Sequence, residues 1–145
     1  MRVSKGCDSG TDNIENMTHA TDLHIKRVYD PPDEGDGIRV LVDRLWPRGL
    51  RKERAAVTLW LKEIAPSTEL RKWFGHDPGR WTEFSRRYRD ELGRNDEVVE
   101  KLVALLAHGR VTLLYAAHDT EHNQAVVLVD YLQDRRKTIE GSHFT

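Results

Sequence analysis

Val111-Thr112-Leu113-Leu114-Tyr115-Ala116, then Ala117-His118-Asp119, then Ala125, Leu128, Val129 and Leu132 at helical spacing, is the stretch that decides the fold. The first run is almost wholly apolar, as a strand covered on both faces should be. A short polar loop follows it, and then an amphipathic helix. A buried strand that feeds a helix directly is half of a parallel β-α-β unit.

Working outward, the same logic finds partners for that strand. Ile38-Arg39-Val40-Leu41-Val42-Asp43 reads as a second strand, and His24-Ile25-Lys26-Arg27-Val28-Tyr29 as a third. Pro31, Pro32, Gly35 and Gly37 make the connection between them a loop, and Pro47 and Gly49 break the chain again. Ser67 is placed to cap a short helix through Leu70, Trp73 and Phe74. Asp77-Pro78 signals a second helix, with Trp81, Phe84, Tyr88 and Leu92 on one face and Gly93 as its stop. Asn95 opens a third, with Val98, Leu102, Leu105 and Leu106 on its apolar side. The expectation is a single compact α/β domain with a small, mostly parallel sheet flanked by helices.

Length and composition agree. The chain has 145 residues, enough for one domain and too few for two. Residues 1–22 hold few apolar side chains and read as a flexible, disordered tail. Met17 is a candidate natural start, which would leave Cys7 outside the working protein. The domain is expected over 23–137, with a frayed C-terminus over 138–145. Charged residues make up 32% and the formal net charge is -1, which excludes a uniformly basic nucleic-acid coat but not a local basic patch. One cysteine excludes a disulfide framework within the chain and a cysteine-based zinc cluster. No apolar run is long enough for a membrane span and no secretory leader is legible, so the expected compartment is the cytoplasm.

Four constellations are candidates for function. The turn after the decisive strand presents Tyr115, His118, Asp119, His122 and Asn123 where parallel sheets gather ligands, beside a helix start that favours anions. His122 is placed in the first helical turn as a proton carrier, with Asp119 as a ligand contact or simply an N-cap. Asp43, Arg44 and Arg48 follow another strand end, where a carboxylate can orient a histidine and guanidinium groups can clamp phosphate or carboxylate. Lys62, Ser67 and Arg71 are candidates to close over an anion. Arg80, Arg86, Arg87 and Arg89 interleave with Trp81 and Tyr88, as on a nucleic-acid surface, though Glu83, Asp90 and Glu91 dilute the charge. His118 and His122 are four apart, but no third histidine is placed with them, so no metal and no cofactor is expected.

The runs KRVYDPP, DGIRVLVDRLWPRGL, WLKEIAPSTELRKWFGHDP, RWTEFSRRYRDEL and VTLLYAAHDTEHNQAVVL resemble the bacterial family called domain of unknown function 488, in its short single-domain branch. The resemblance covers about residues 24–132. Asp43, Arg44, Arg48, Lys62, Ser67, Arg71, His76, Asp119, His122 and Asn123 match its recurring polar positions, whereas position 118, often Arg or Lys in the family, is His118 here.

The leading expectation is an enzyme or ligand-binding domain for a small anionic or nucleotide-like molecule. In it His122 and Asp43 are catalytic. Arg44, Arg48, Lys62, Ser67, Arg71, Tyr115, Asp119 and Asn123 bind the ligand. The alternatives are a nucleic-acid-binding or regulatory protein using the Arg-rich helix over 78–92, and a protein-interaction module presenting Trp46 or Trp81.

Overall fold

In a computed structural model that describes residues 22–143, four strands form one parallel sheet. They are β1 (Leu23–Arg27), β2 (Ile38–Leu41), β3 (Leu59–Trp60) and β4 (Val111–Tyr115), in the spatial order β1-β4-β2-β3. Every pairing is parallel. The helices are α1 (Lys52–Ala55), α2 (Thr68–Phe74), α3 (Trp81–Gly93), α4 (Asp96–Leu106) and α5 (Gln124–His143). Up to residue 21, the expected tail lies outside the described residues.

β4 is the inner strand expected of its composition: it is paired on both edges and all five residues are buried. β3 is an addition to the expected set. Two residues are too few for a period-two pattern, and they join the sheet because Thr58 and Leu61 donate to the carbonyls of Arg39 and Leu41 at 2.8 and 2.9 Å.

The two faces of the sheet are covered differently. On one, Val40, Val42, Val111, Leu113 and Tyr115 pack with Phe74, Phe84, Tyr88, Leu102 and Leu128 into the main core. The helix periods follow from this. Phe84, Tyr88 and Leu92 are buried along α3, and the Tyr88 hydroxyl donates to the Ile64 carbonyl at 2.6 Å. In α4 the buried stripe is Val99, Leu102 and Leu106, so the helix is rotated from the expected phase and leaves Val98 and Leu105 half-buried. In α5 the buried set is Ala125, Val127, Leu128 and Leu132, with Val129 half-buried instead of buried.

On the second face Leu41 and Leu114 meet Trp46, Leu50 and Trp60 from the segment that follows β2. Trp46 and Trp60 contact edge to face at 5.5 Å between centroids, and the Trp46 indole donates to the Leu50 carbonyl at 2.8 Å. Trp46 and Trp81 are both half-buried and packed against neighbours.

This second face also carries a buried ionic cluster. Arg39 is 4% exposed and its guanidinium donates to Asp36, while Nη2 and Nε reach the Ala55 and Ala56 carbonyls at 2.7 and 3.0 Å. Lys26 adds a second cation at 3.1 Å from the Asp36 carboxylate. The cluster fastens α1, whose terminal carbonyls have no partner within a four-residue helix, to the sheet. Gly37 lets this corner close. At φ 68 a Cβ there would lie 2.4 Å from the Arg110 carbonyl oxygen, the atom that accepts the Ile38 N–H at 3.0 Å. Arg39→Met is expected to cost about 3–5 kcal/mol, read from urea unfolding, because it leaves a buried carboxylate with Lys26 as its one cation and the Asp33 N–H as its other donor. A loss below about 1 kcal/mol would show that water reaches the cluster freely.

Candidate functional site

β2 and β4 end side by side, and the chain leaves them in opposite directions. Asp43, just past the end of β2, bridges the gap. One carboxylate oxygen accepts the Ala116 N–H at 3.1 Å and the other accepts the Gln124 side-chain amide at the start of α5. The Trp60 indole fixes the Asp43 carbonyl at 2.8 Å. Burial pushes the Asp43 carboxyl up from 3.8 to about 6, even though the two donors and the nearby Arg71 and His76 pull the other way.

The loop between β4 and α5 is longer than the sequence implies. α5 begins at Gln124, so His122 precedes the helix instead of standing in its first turn. The cap is Asn123, whose side-chain oxygen accepts the Val126 N–H at 3.2 Å while its amide donates to the Asp119 carbonyl at 2.9 Å. Asp119 does not cap α5. Its carboxylate accepts the Glu121 and His122 N–H groups, each at 2.9 Å, and meets His122 Nδ1 at 2.9 Å. The Glu121 N–H, followed by the His122 ring and N–H, holds the Asp119 carboxyl below its ordinary value. With Nδ1 turned to a carboxylate, neutral His122 carries its proton there and leaves Nε2 as an acceptor. The Trp81 ring steadies the imidazole edge-on at 5.1 Å.

These loops enclose a cavity of about 650 Å3. Of the expected site residues, Asp43, Arg44, Arg71, Asp119, His122 and Asn123 all line it. His118 from the same turn lines it too, as does His76, one of the family's recurring polar positions, and with them Lys72 and Gln124, which sequence reasoning did not select. His76 arrives by a backbone route that its residue type hides: φ is 59°, directly after the left-handed Gly75 that ends α2. Leu45, Ala65, Pro66, Phe74, Phe84, Ala116 and Ala117 form the apolar wall.

Four expected residues lie elsewhere. Tyr115 is buried in the main core. Ser67 caps α2 by accepting the Leu70 N–H at 3.2 Å, and its hydroxyl donates to Glu91 at 2.6 Å. The Lys62 ammonium sits 5.2 Å over the Trp60 ring. Arg48 is exposed, and its carbonyl accepts the Tyr29 hydroxyl at 2.9 Å. Arg44 lines the cavity with part of its fork committed, since Nη2 and Nε donate to the Ala65 and Pro66 carbonyls at 3.1 and 3.2 Å. It is not paired with Asp43.

Among the described residues no three His, Cys, Asp or Glu side chains group to hold a metal ion. No helix among them is long and apolar enough to cross a membrane.

The family profile that matches residues 22–143 carries the description "Inactive DUF488-N3 subclade". The chain belongs to that family. The match confirms the resemblance carried by the sequence motifs. "Uncharacterized protein YeaO" of Escherichia coli (strain K12) is 44% identical over 111 residues, covering 77% of this chain and 96% of that protein. "Uncharacterized protein Rv3073c" of Mycobacterium tuberculosis (strain ATCC 25618 / H37Rv) is 40% identical over 119 residues, covering 82% and 100%. No solved structure matches. The matched residues of this DUF488-N3 chain include every group that lines the cavity.

The Asp43 carboxyl sets a pH signature. Its value in the fold lies above the ordinary 3.8, so the folded state binds more protons between there and about 6. Stability contributed by this group therefore falls as pH rises through that window and is flat above it. Asp43→Asn keeps both contacts, because its oxygen can accept from Ala116 and its amide can donate to a turned-over Gln124. The difference in unfolding free energy between wild type and D43N is expected to shift in favour of the variant as pH rises from about 4 to about 6. The subtraction matters, because carboxyls held low, such as Asp119, slope the other way. A pH-independent difference would place Asp43 in full contact with water.

Proposed function

We propose that this chain binds a small anionic molecule in the cavity at the ends of β2 and β4, without covalent turnover, in the cytoplasm. The observation that carries this reading is an imbalance in how the lining charges are engaged. The two acids are committed to the protein: Asp43 to Ala116 and Gln124, Asp119 to Glu121 and His122. None of the three cations makes an ion pair among the described residues, though Arg71 lies near enough to Asp43 to pull its carboxyl down. Arg44 donates only to neutral carbonyls, and Arg71 and Lys72 make no ion pair there. A concave site whose carboxylates are already satisfied and whose cations are not favours an anion.

Binding is favoured over covalent chemistry because, among the described residues, no Ser, Thr, Cys or Tyr side chain lines the cavity to serve as a hydroxyl or thiol nucleophile. The family description agrees with that choice. A proton-transfer reading has one feature in its favour. His122, oriented by Asp119, faces the same space as Asp43, which is half protonated near pH 6. The Arg-rich face of α3 supports a nucleic-acid surface poorly, because Arg86, Arg87 and Arg89 are each paired with acids.

The test is a thermal-shift and calorimetry panel on the full chain with inorganic phosphate, nucleoside monophosphates and small dicarboxylates. A ligand at about a hundred times its dissociation constant adds about 2.7 kcal/mol, several degrees in Tm for a domain of this size. Arg71→Ala is expected to weaken that ligand by about ten- to hundredfold, the worth of a charged hydrogen bond. Affinity should climb as pH falls through about 6, where protonation of Asp43 removes a negative charge from the site. A panel without a shift, or an R71A protein that binds unchanged, overturns the reading. Turnover of a bound ligand that is lost in His122→Ala would replace binding with catalysis.

A further inference from the structure

Outside the cavity, one short segment gathers several cations that make no ion pair. Arg48, Arg51, Lys52 and Arg54 fall within seven residues, all exposed. Among the described residues none of the four side chains makes an ion pair, in contrast to the arginines of α3. Asp30 and Glu53 are the acids interspersed with them, so the patch keeps a surplus of positive charge in a chain whose formal net charge is -1.

An exposed aromatic ring stands beside this patch. Tyr29 is 43% exposed, among the few large apolar side chains that the fold leaves uncovered. The ring is held in place from two directions. Its hydroxyl donates to the Arg48 carbonyl at 2.9 Å, and the Arg27 guanidinium lies 5.2 Å from its centroid. Arg27 is fixed in turn, because Nε and Nη2 donate to the Ala117 and Ala116 carbonyls at 3.0 and 3.3 Å. Tyr29, Pro31, Pro32, Arg51 and Arg54, with Asp30 as the one acid, line a groove of about 460 Å3, separate from the anion cavity.

A ring immobilised in advance pays little entropy to stack on another flat ring, and guanidinium groups beside it suit phosphates. Stacking of this kind needs a base whose face is free, which a duplex does not offer. We propose that the Tyr29 groove holds a short stretch of single-stranded nucleic acid, one base lying against Tyr29 and the backbone phosphates on Arg48, Arg51 and Arg54. This surface neither uses nor requires the cavity.

The experiment is fluorescence anisotropy with the full chain and labelled oligo(U) and oligo(dT) of about eight nucleotides. Binding is expected at low salt, with log K falling against log salt at a slope of about -2 for three displaced counterions on a single strand. The double variant Arg51→Ala/Arg54→Ala and the single variant Tyr29→Ala should each lose about tenfold or more. Tyr29→Phe, which keeps the ring, should lose much less, and Arg86→Ala on α3 should bind as wild type. Thermal unfolding of each variant separates lost binding from lost fold. The proposal is overturned if neither oligonucleotide binds at low salt, or if a duplex or polyglutamate of equal charge binds as well. It is equally overturned if folded Y29A binds unchanged, or if R86A costs as much as the double variant.

Discussion

The Asp43 carboxylate accepts from Ala116 at the end of β4 and from Gln124 at the start of α5, while its own carbonyl accepts from Trp60. Two segments far from it in sequence, β3 and the turn from β4 into α5, meet on this one residue. A parallel sheet forces this geometry: neighbouring strands point the same way, so their ends lie together and the loops leaving them must separate. Something polar has to satisfy the backbone N–H groups that the parting loops expose. An acid does so at the cost of its own desolvation, which is why its carboxyl is pushed up to about 6. An apolar residue here would leave the Ala116 N–H without this acceptor and release the helix start. The cavity exists because these loops are held apart at their roots.

The other side of the sheet meets a different constraint. All the longer helices pack on one face, so the second is closed by loop and by the single turn of α1. Such a cover has few apolar side chains to offer and many backbone carbonyls to satisfy. Trp46, Leu50 and Trp60 supply the apolar part. Arg39, drawing on Asp36, Ala55 and Ala56 at once, satisfies the carbonyls. The burial of an arginine on an inner strand follows from what covers it. Thr112, directly beside Arg39 in the register, donates to the Asp36 carbonyl at 2.7 Å and completes the same network.

What could be read in advance was local chemistry with a single outcome. The β4 run, the Ser67 cap and the Asp77-Pro78 start, which becomes a 3-10 turn leading into α3, each follow from neighbours in sequence. The position of the cavity was legible for the same reason, since two strands followed by polar loops imply it. The rest depended on distant partners. Ser67 looked like a ligand contact, but Glu91, 24 residues away, takes its hydroxyl. Tyr115 sits at a strand end, yet the alternation of β4 turns it into the helical face with Leu113. Asp119 and Asn123 are both good caps, and only the length of the turn between them decides which one serves. Arg39 was hidden because a charged residue within a strand suggests an exposed edge, and no local pattern places Asp36 beneath it.

A formal net charge of -1 describes almost no part of this surface. The opposite charges are distributed unevenly, and the uneven part is what a partner meets. On α3 Arg86, Arg87 and Arg89 each have an acid one turn along the helix or across on α5, so this run of cations projects little field. Arg71 and Lys72, spaced sparsely in sequence from other cations, stand where the nearby acids are already engaged by the backbone and by neutral amides. The segment after β2 likewise keeps cations that make no ion pair among the described residues, Arg51 and Arg54, in the groove that Tyr29 lines. The density of basic residues along a chain therefore does not by itself say where an anion would be favoured. What matters is which carboxylates the fold has already used, and that is settled by cap, turn and strand-end hydrogen bonds before any ligand arrives.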